Sequence, residues 1–212
     1  MNRSIGILAM ATMILSSATM AQEKTIPLPA PQTDGGKPLM QILKARHSSR
    51  EFSTKPLPLQ VLSNLLWAAN GINRTEDGKR TAPSARNWQD IDVYAALPQG
   101  MYLYNAKAHR LELVVAGDLR GATGQQDFVK EVPVNLVYVS NLARMTDATP
   151  DTREKYAAVD AGFVAENVYL FCASEGLAAV VRGSVDGKSL AAAMHLHEDQ
   201  KVILAHSIGY PR

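Results

Sequence analysis

The run from Thr152 to Glu175 constrains the fold more than any other stretch. Ala157, Ala158, Ala161, Val164, Ala165, Val168, Leu170, Phe171 and Ala173 crowd it so closely that a helix here presents little polar surface, and Gly176 is placed to cap its end. Such a helix must be buried by its own domain or by a partner. One domain has the means to do this: the chain has 212 residues, 46% hydrophobic and 20% charged, with no internal repeat or low-complexity tract. Its formal net charge of +2 favours neither nucleic acid nor an anionic membrane surface.

Around that helix the periodicity predicts short helices at Leu39 to Ala45 and Pro58 to Ala69. Asp90 to Ala96, Met101 to Asn105 and Arg110 to Ala116 are short apolar or alternating runs split by turn residues, the pattern of an antiparallel meander. Pro133 to Ser140 is almost unbroken apolar sequence, which places it centrally in a sheet. A strand at Leu177 to Arg182, a helix at Asp186 to His195 and a strand at Lys201 to Tyr210 complete the chain. Helices flanking a mostly antiparallel sheet define an α+β domain over residues 38–212, and the lack of βαβ alternation with a G-x-G-x-x-G turn argues against a Rossmann dehydrogenase.

Residues 1–21 read as a secretory signal peptide: Arg3, then an apolar run from Ile5 to Leu15 too short to span a bilayer, then a small-residue end at Ala21. The expectation is export, to a periplasmic location. Residues 22–37, rich in Pro and Gly, read as a flexible lead-in. The single cysteine, Cys172, allows no intrachain disulfide and lies in the apolar helix, where it packs as a small hydrophobe.

Three motifs carry chemistry. Arg46-His47-Ser48-Ser49-Arg50 sets two guanidinium groups and two hydroxyls within five residues, a clamp for an anion such as phosphate. The alternative reading is a solvated basic turn offsetting a helix C-terminus. Pro83-Ser84-Ala85-Arg86-Asn87-Trp88-Gln89 is the second motif, and the closing Gly209-Tyr210-Pro211-Arg212 is the third. Elsewhere, Glu76-Asp77-Gly78 with Asn73, Arg74, Lys79 and Arg80 around it reads as a polar turn. His195 and His197 diverge at a helix end and lack a second ligand cluster, so no metal site is expected. Trp67 and Trp88 are core or pocket wall. No serine stands in a G-x-S-x-G elbow.

R-x-S-x-R, then P-S-A-x-N-x-Q, then G-Y-P, in that order, resembles the nitroreductase family of FMN-dependent oxidoreductases. The run Leu65 to Arg74 looks more like the branch containing thiazole- and oxazole-forming dehydrogenases. The resemblance covers the chain from about Met40 onward. It implies a nitroreductase-like fold, a homodimer with FMN at the subunit interface, and ping-pong hydride transfer from a donor such as NAD(P)H to a planar organic acceptor such as a nitroaromatic or quinone. It implies that Arg46, His47 and Ser48 bind the phosphate end and that Arg50 approaches the pyrimidine edge. Pro83, Ser84, Ala85 and Asn87 would reach the flavin from the other subunit. Val181, Arg182 and Gly183 would pass beside the ring near N5, although Arg182 departs from the neutral or acidic residue often found there. Arg212 would complete the phosphate site, in place of the longer basic tail the family commonly carries, or would form a frayed terminus. No side-chain acid or base is implied. The alternative is an exported flavin-binding or small-molecule-binding protein without redox turnover.

Overall fold

A computed structural model of the chain describes residues 24–212. The expected signal peptide lies outside the described residues. In chain order the elements are β1 (Thr25–Pro27), α1 (Leu39–Ala45), α2 (Leu59–Asn70), β2 (Ile72–Arg74), β3 (Lys79–Arg80), β4 (Ile91–Leu97), β5 (Gly100–Asn105), β6 (Arg110–Ala116), β7 (Val134–Asn141), α3 (Pro150–Glu175), β8 (Ala178–Arg182), α4 (Gly187–Ala193) and β9 (Gln200–Gly209). Seven strands form one antiparallel sheet in the order β1-β6-β5-β4-β7-β9-β8.

The sheet is covered on both faces. Leu65, Leu66 and Ala69 of α2 and Ala161, Val164, Ala165 and Val168 of α3 pack with Val134, Leu136 and Tyr138 of β7 on one side. Leu190 and Met194 pack with Val137 and Val139 on the other. This explains why β7 is continuously apolar: both of its faces are core, and it lies between β4 and β9 as its composition predicts.

The long helix α3 is secured at both ends. Thr149 Oγ1 accepts the Thr152 N–H, Pro150 occupies the first turn, and Gly176 takes the left-handed conformation at φ 70° that ends it. The face of α3 turned to the core carries Ala157, Asp160, Ala161, Val164, Ala165, Val168, Tyr169 and Cys172. Val159 and Phe163 remain exposed, as do Leu39, Met40 and Leu43 of α1.

Two segments carry strand pairing that periodicity does not reveal. From Thr25 on, the lead-in makes defined contacts with the domain: β1 pairs with β6, Ser63 Oγ donates to the Pro29 carbonyl at 2.5 Å, Gln32 N donates to Asn64 Oδ1 at 2.9 Å, and Lys37 N donates to Ser174 Oγ at 3.0 Å. Its prolines leave carbonyls and neighbouring amides to be paired by side chains of α2 and α3. The polar turn at Glu76-Asp77-Gly78 is the tip of a two-stranded hairpin, β2 with β3.

Candidate functional site

The clamp sequence leaves the end of α1 and runs along β8, the outer strand of the sheet. Ser49 N donates to the Ala179 carbonyl at 2.9 Å, so the segment covers part of an edge that would otherwise expose unpaired backbone groups. The C-terminus joins it: Phe52 bridges Pro211, and Ser53 N donates to the Tyr210 carbonyl at 2.8 Å. Arg46, Arg50 and Arg212 are thereby brought to one region, and none of them has an acidic partner among the described residues. A cavity of about 250 Å³ opens there, lined by His47, Ser49, Tyr169, Ala179 and Pro211 among others.

Tyr169 of α3 organises this half of the site. Its hydroxyl accepts the Val181 N–H at 2.8 Å and shares a hydrogen bond with Ser48 Oγ at 2.8 Å, while the Arg46 guanidinium lies over its ring, 5.2 Å from the centroid. His47 Nδ1 is bound to the Ala45 carbonyl at 2.8 Å. Gly183, the residue after β8, is exposed and has no side chain to obstruct approach to its backbone. Beneath Tyr169, the His206 ring lies tilted by 58° with 4.6 Å between ring centroids and shares a hydrogen bond with Tyr138 Oη at its Nδ1, 3.0 Å.

Arg182 is placed differently from its neighbours. Its side chain is 5% exposed and turned into the sheet, where Nη1 donates to the Thr123 carbonyl at 2.7 Å and Nη2 to Asn135 Oδ1 at 3.1 Å. Gly124 is required by this packing, since a Cβ there would stand 1.8 Å from Arg182 Nη1. Burial pushes the guanidinium down to about 10. The side chain is thus a structural cation, and a flavin ring beside β8 would meet only the backbone of Arg182.

Pro83, Ser84, Ala85 and Asn87 lie on a separate loop. Arg86, Asn87 and Gln89 have φ of 49°, 56° and 49°, three non-glycine residues in the left-handed region within four positions. The loop is fastened at each end. Ser84 Oγ accepts the Gln89 N–H at 2.9 Å, Arg80 Nε donates to Gln89 Oε1 at 3.0 Å, and Arg144 Nη1 donates to the Gln89 carbonyl at 2.8 Å. Arg86 pairs with Asp147, which also accepts from Trp88 Nε1 at 3.0 Å. In the middle, Ala85 N donates to Asp160 Oδ2 at 3.0 Å. Asp160 is buried on α3, and Asp90, also buried, accepts from Ser140 Oγ through its Oδ2 at 2.6 Å.

The two halves do not meet within one chain. The clamp rests on Tyr169 and the loop on Asp160, nine residues earlier on α3, about 14 Å of helical rise. Pro83 and Asn87 are exposed, as are Arg50 and Arg212. Sequence reasoning singled out neither Tyr169, nor Asp160, nor Asp90. The signal available for Asp160 was a carboxylate set among Ala and Val on the predicted helix. Cys172 is buried, and burial pushes its thiol up. Trp67 binds the Ile72 carbonyl from the wall of a groove along α2, whereas Trp88 belongs to the loop. Among the described residues no three His, Cys, Asp or Glu side chains gather as metal ligands.

An antiparallel seven-stranded sheet with a long, half-covered helix and a clamp at its outer strand defines a class of α+β oxidoreductases. The family model described as "Nitroreductase family" matches residues 43–210, and the chain belongs to that family. Among the proteins that bear the name "putative nitroreductase", two are described by their match to this chain. One, from Methanocaldococcus jannaschii, is 32% identical over 156 residues, 69% of this chain and 78% of that protein. The other, from Ralstonia eutropha, has a crystal structure with a TM-score of 0.86 at 48% identity, covering 98% of this chain and 96% of that one. A chain of the Escherichia coli microcin synthetase McbBCD complex has a TM-score of 0.69 at 18% identity, covering 97% of this chain and 76% of that chain, a likeness of fold alone.

Proposed function

We propose that this oxidoreductase uses FMN and works as a homodimer, each flavin held between the clamp of one subunit and the Pro83–Asn87 loop of the other. The observation that carries this reading is the gathering of Arg46, Arg50 and Arg212, none with an acidic partner among the described residues, next to a cavity that their neighbours Ala45, His47, Ser49 and Pro211 line beside β8. The residues fit the group. Guanidinium forks and the Ser48 hydroxyl suit a phosphate, and an exposed Gly183 N–H suits an acceptor on a ring edge. Arg50 adds fixed positive charge near that ring.

FMN, when bound, supplies two-electron chemistry in alternating half-reactions, accepting hydride from a donor such as NAD(P)H and passing it to a planar organic acceptor such as a nitroaromatic or quinone. The protein's own part is binding and orientation. Tyr169 fixes Ser48 relative to Val181, so that the phosphate end and the β8 edge keep one spacing. The separation of the two half-sites along α3 and the exposed apolar residues of α1 and α3 support the second subunit.

The test is the visible spectrum of the purified protein, with mass spectrometry of what heating releases. FMN equimolar with subunits is expected, and the Arg46→Ala/Arg50→Ala variant should bind it roughly a hundredfold more weakly, as loss of two charge-assisted contacts requires. A colourless protein that takes up no added FMN would overturn the reading.

A further inference from the structure

Among the described residues Arg182 is the only lysine or arginine that is buried. All of its hydrogen bonds run to neutral oxygens. Besides the Thr123 carbonyl and Asn135 Oδ1, Nη1 reaches Gln126 Oε1 at 3.5 Å and Nη2 reaches Thr123 Oγ1 at 3.4 Å. Asn135 is itself held by neutral groups, accepting from Ser207 Oγ at 2.5 Å and donating to the Val129 carbonyl at 2.7 Å. Arg182 Nε is buried with no hydrogen-bond partner, and no carboxylate pairs with the guanidinium among the described residues. The cradle is therefore hydrogen-bonded but electrically uncompensated.

Bonding to neutral oxygens does not by itself call for a charge. Taking a guanidinium out of water without a counter-ion is unfavourable even when most of its N–H groups are bonded. Groups placed in this way cluster at functional sites. Burial lowers the guanidinium only to about 10, so it remains a cation at neutral pH. Its field is felt across the sheet: His206 on β9, paired in register with Val181, is pushed down by burial first and by Arg182 second. Inside the sheet, water and salt screen such a charge far less than they screen the exposed Arg50 and Arg212.

Arg182 ends β8, the outermost strand of the sheet, and its backbone stands between Val181 and the exposed Gly183. A ring lying along that edge has the guanidinium behind it. We propose that Arg182 is a fixed charge that raises the reduction potential of the flavin through β8 without touching the ring. This rests on the function proposed above, which puts the ring beside that strand. Hydride transfer from a donor of the NAD(P)H class brings two electrons and one proton to the ring, which gains one negative charge as the donor is oxidised. A buried cation behind the strand favours that state over the oxidised one. Arg182 is thus a tuning residue rather than a catalytic one.

The readout is the two-electron midpoint potential at pH 7, from reduction of the flavin-loaded full chain with dithionite against a reference dye. Arg182→Met should favour reduced over oxidised FMN about tenfold less than the wild type does, a fall of about 30 mV. Arg182→Lys keeps the charge and should stay within about twofold, about 9 mV. Gln126→Glu leaves the guanidinium in place and sets a carboxylate against Nη1, where Gln126 Oε1 lies at 3.5 Å. It should lower the potential about threefold, about 14 mV, and it decides the matter alone where Arg182→Met yields no folded protein. An arginine that only holds the fold together would change stability and flavin content in its variants and leave the potential of bound flavin unmoved. An Arg182→Met potential within about 9 mV of the wild type overturns the proposal. An Arg182→Lys potential as low as that of Arg182→Met, or a Gln126→Glu potential that does not fall, does the same. A colourless protein that takes up no added FMN overturns the proposed function and this inference together, whereas a yellow protein with an unmoved potential overturns this inference alone.

Discussion

At the scale of single residues, Arg182 shows how far chemistry can be read from sequence and where it stops. Its type advertises anion binding, but its position in β8 turns the guanidinium onto Thr123 and Asn135. Replacing it with Met, similar in length and uncharged, strands the Thr123 carbonyl and removes one partner of Asn135 Oδ1. A loss of about 3 kcal/mol is expected, seen as a lower denaturation midpoint at unchanged slope. A loss under about 1 kcal/mol would show that the guanidinium does not hold this region together. The clamp was legible because Arg and Ser declare their chemistry within five residues of one another. Tyr169 and Asp160 were not, because their partners Ser48 and Ala85 lie 121 and 75 residues away and are supplied only by the fold.

Elements follow the same logic. The four helices and the six longer strands could be read because each carries several turns or alternations of apolar residues, and Gly176 ends α3 as its place in the sequence predicts. β1, β2 and β3 have three residues or fewer, too few for a period, and exist because a neighbour pairs with them. The pairing of α3 with a second subunit is the element-scale expectation that remains to be tested. Phe163 is 43% exposed on the face of α3 away from the sheet, beside Val159, with Leu39, Met40 and Leu43 exposed on α1, which packs against α3. A charge at Phe163 costs its apolar burial twice in a symmetric dimer, about 4 kcal/mol in all. Phe163→Glu should therefore sediment as a monomer at micromolar concentration and release its flavin, while its far-UV spectrum stays that of the wild type. A variant that remains dimeric would remove this face from the interface.

Across the whole molecule, two buried titratable groups act on stability in opposite directions. Asp160 is pushed up to about 7, so between its ordinary 3.8 and that value the folded chain holds more protons than the unfolded one, and stability falls as pH rises. His206 is pushed down to about 3, by burial first and then by Arg182. The unfolded chain protonates this imidazole below about 6.5 and the folded chain does not, so stability is lost as pH falls from about 6.5 towards 3. His109 is lowered by burial and acts in the sense of His206, and Asp92 is raised by burial and acts in the sense of Asp160. From about pH 4 to about pH 6.5 the two opposing slopes cancel, and the wild type should be flat to within about 1 kcal/mol. Asp160→Asn removes one slope and exposes the other. Its unfolding free energy in urea, measured without flavin, should climb on the order of 3 kcal/mol across that window. An equally flat curve in the variant would mean that Asp160 adds no slope of its own and that the imidazole's slope is absent or offset by another group such as Asp92.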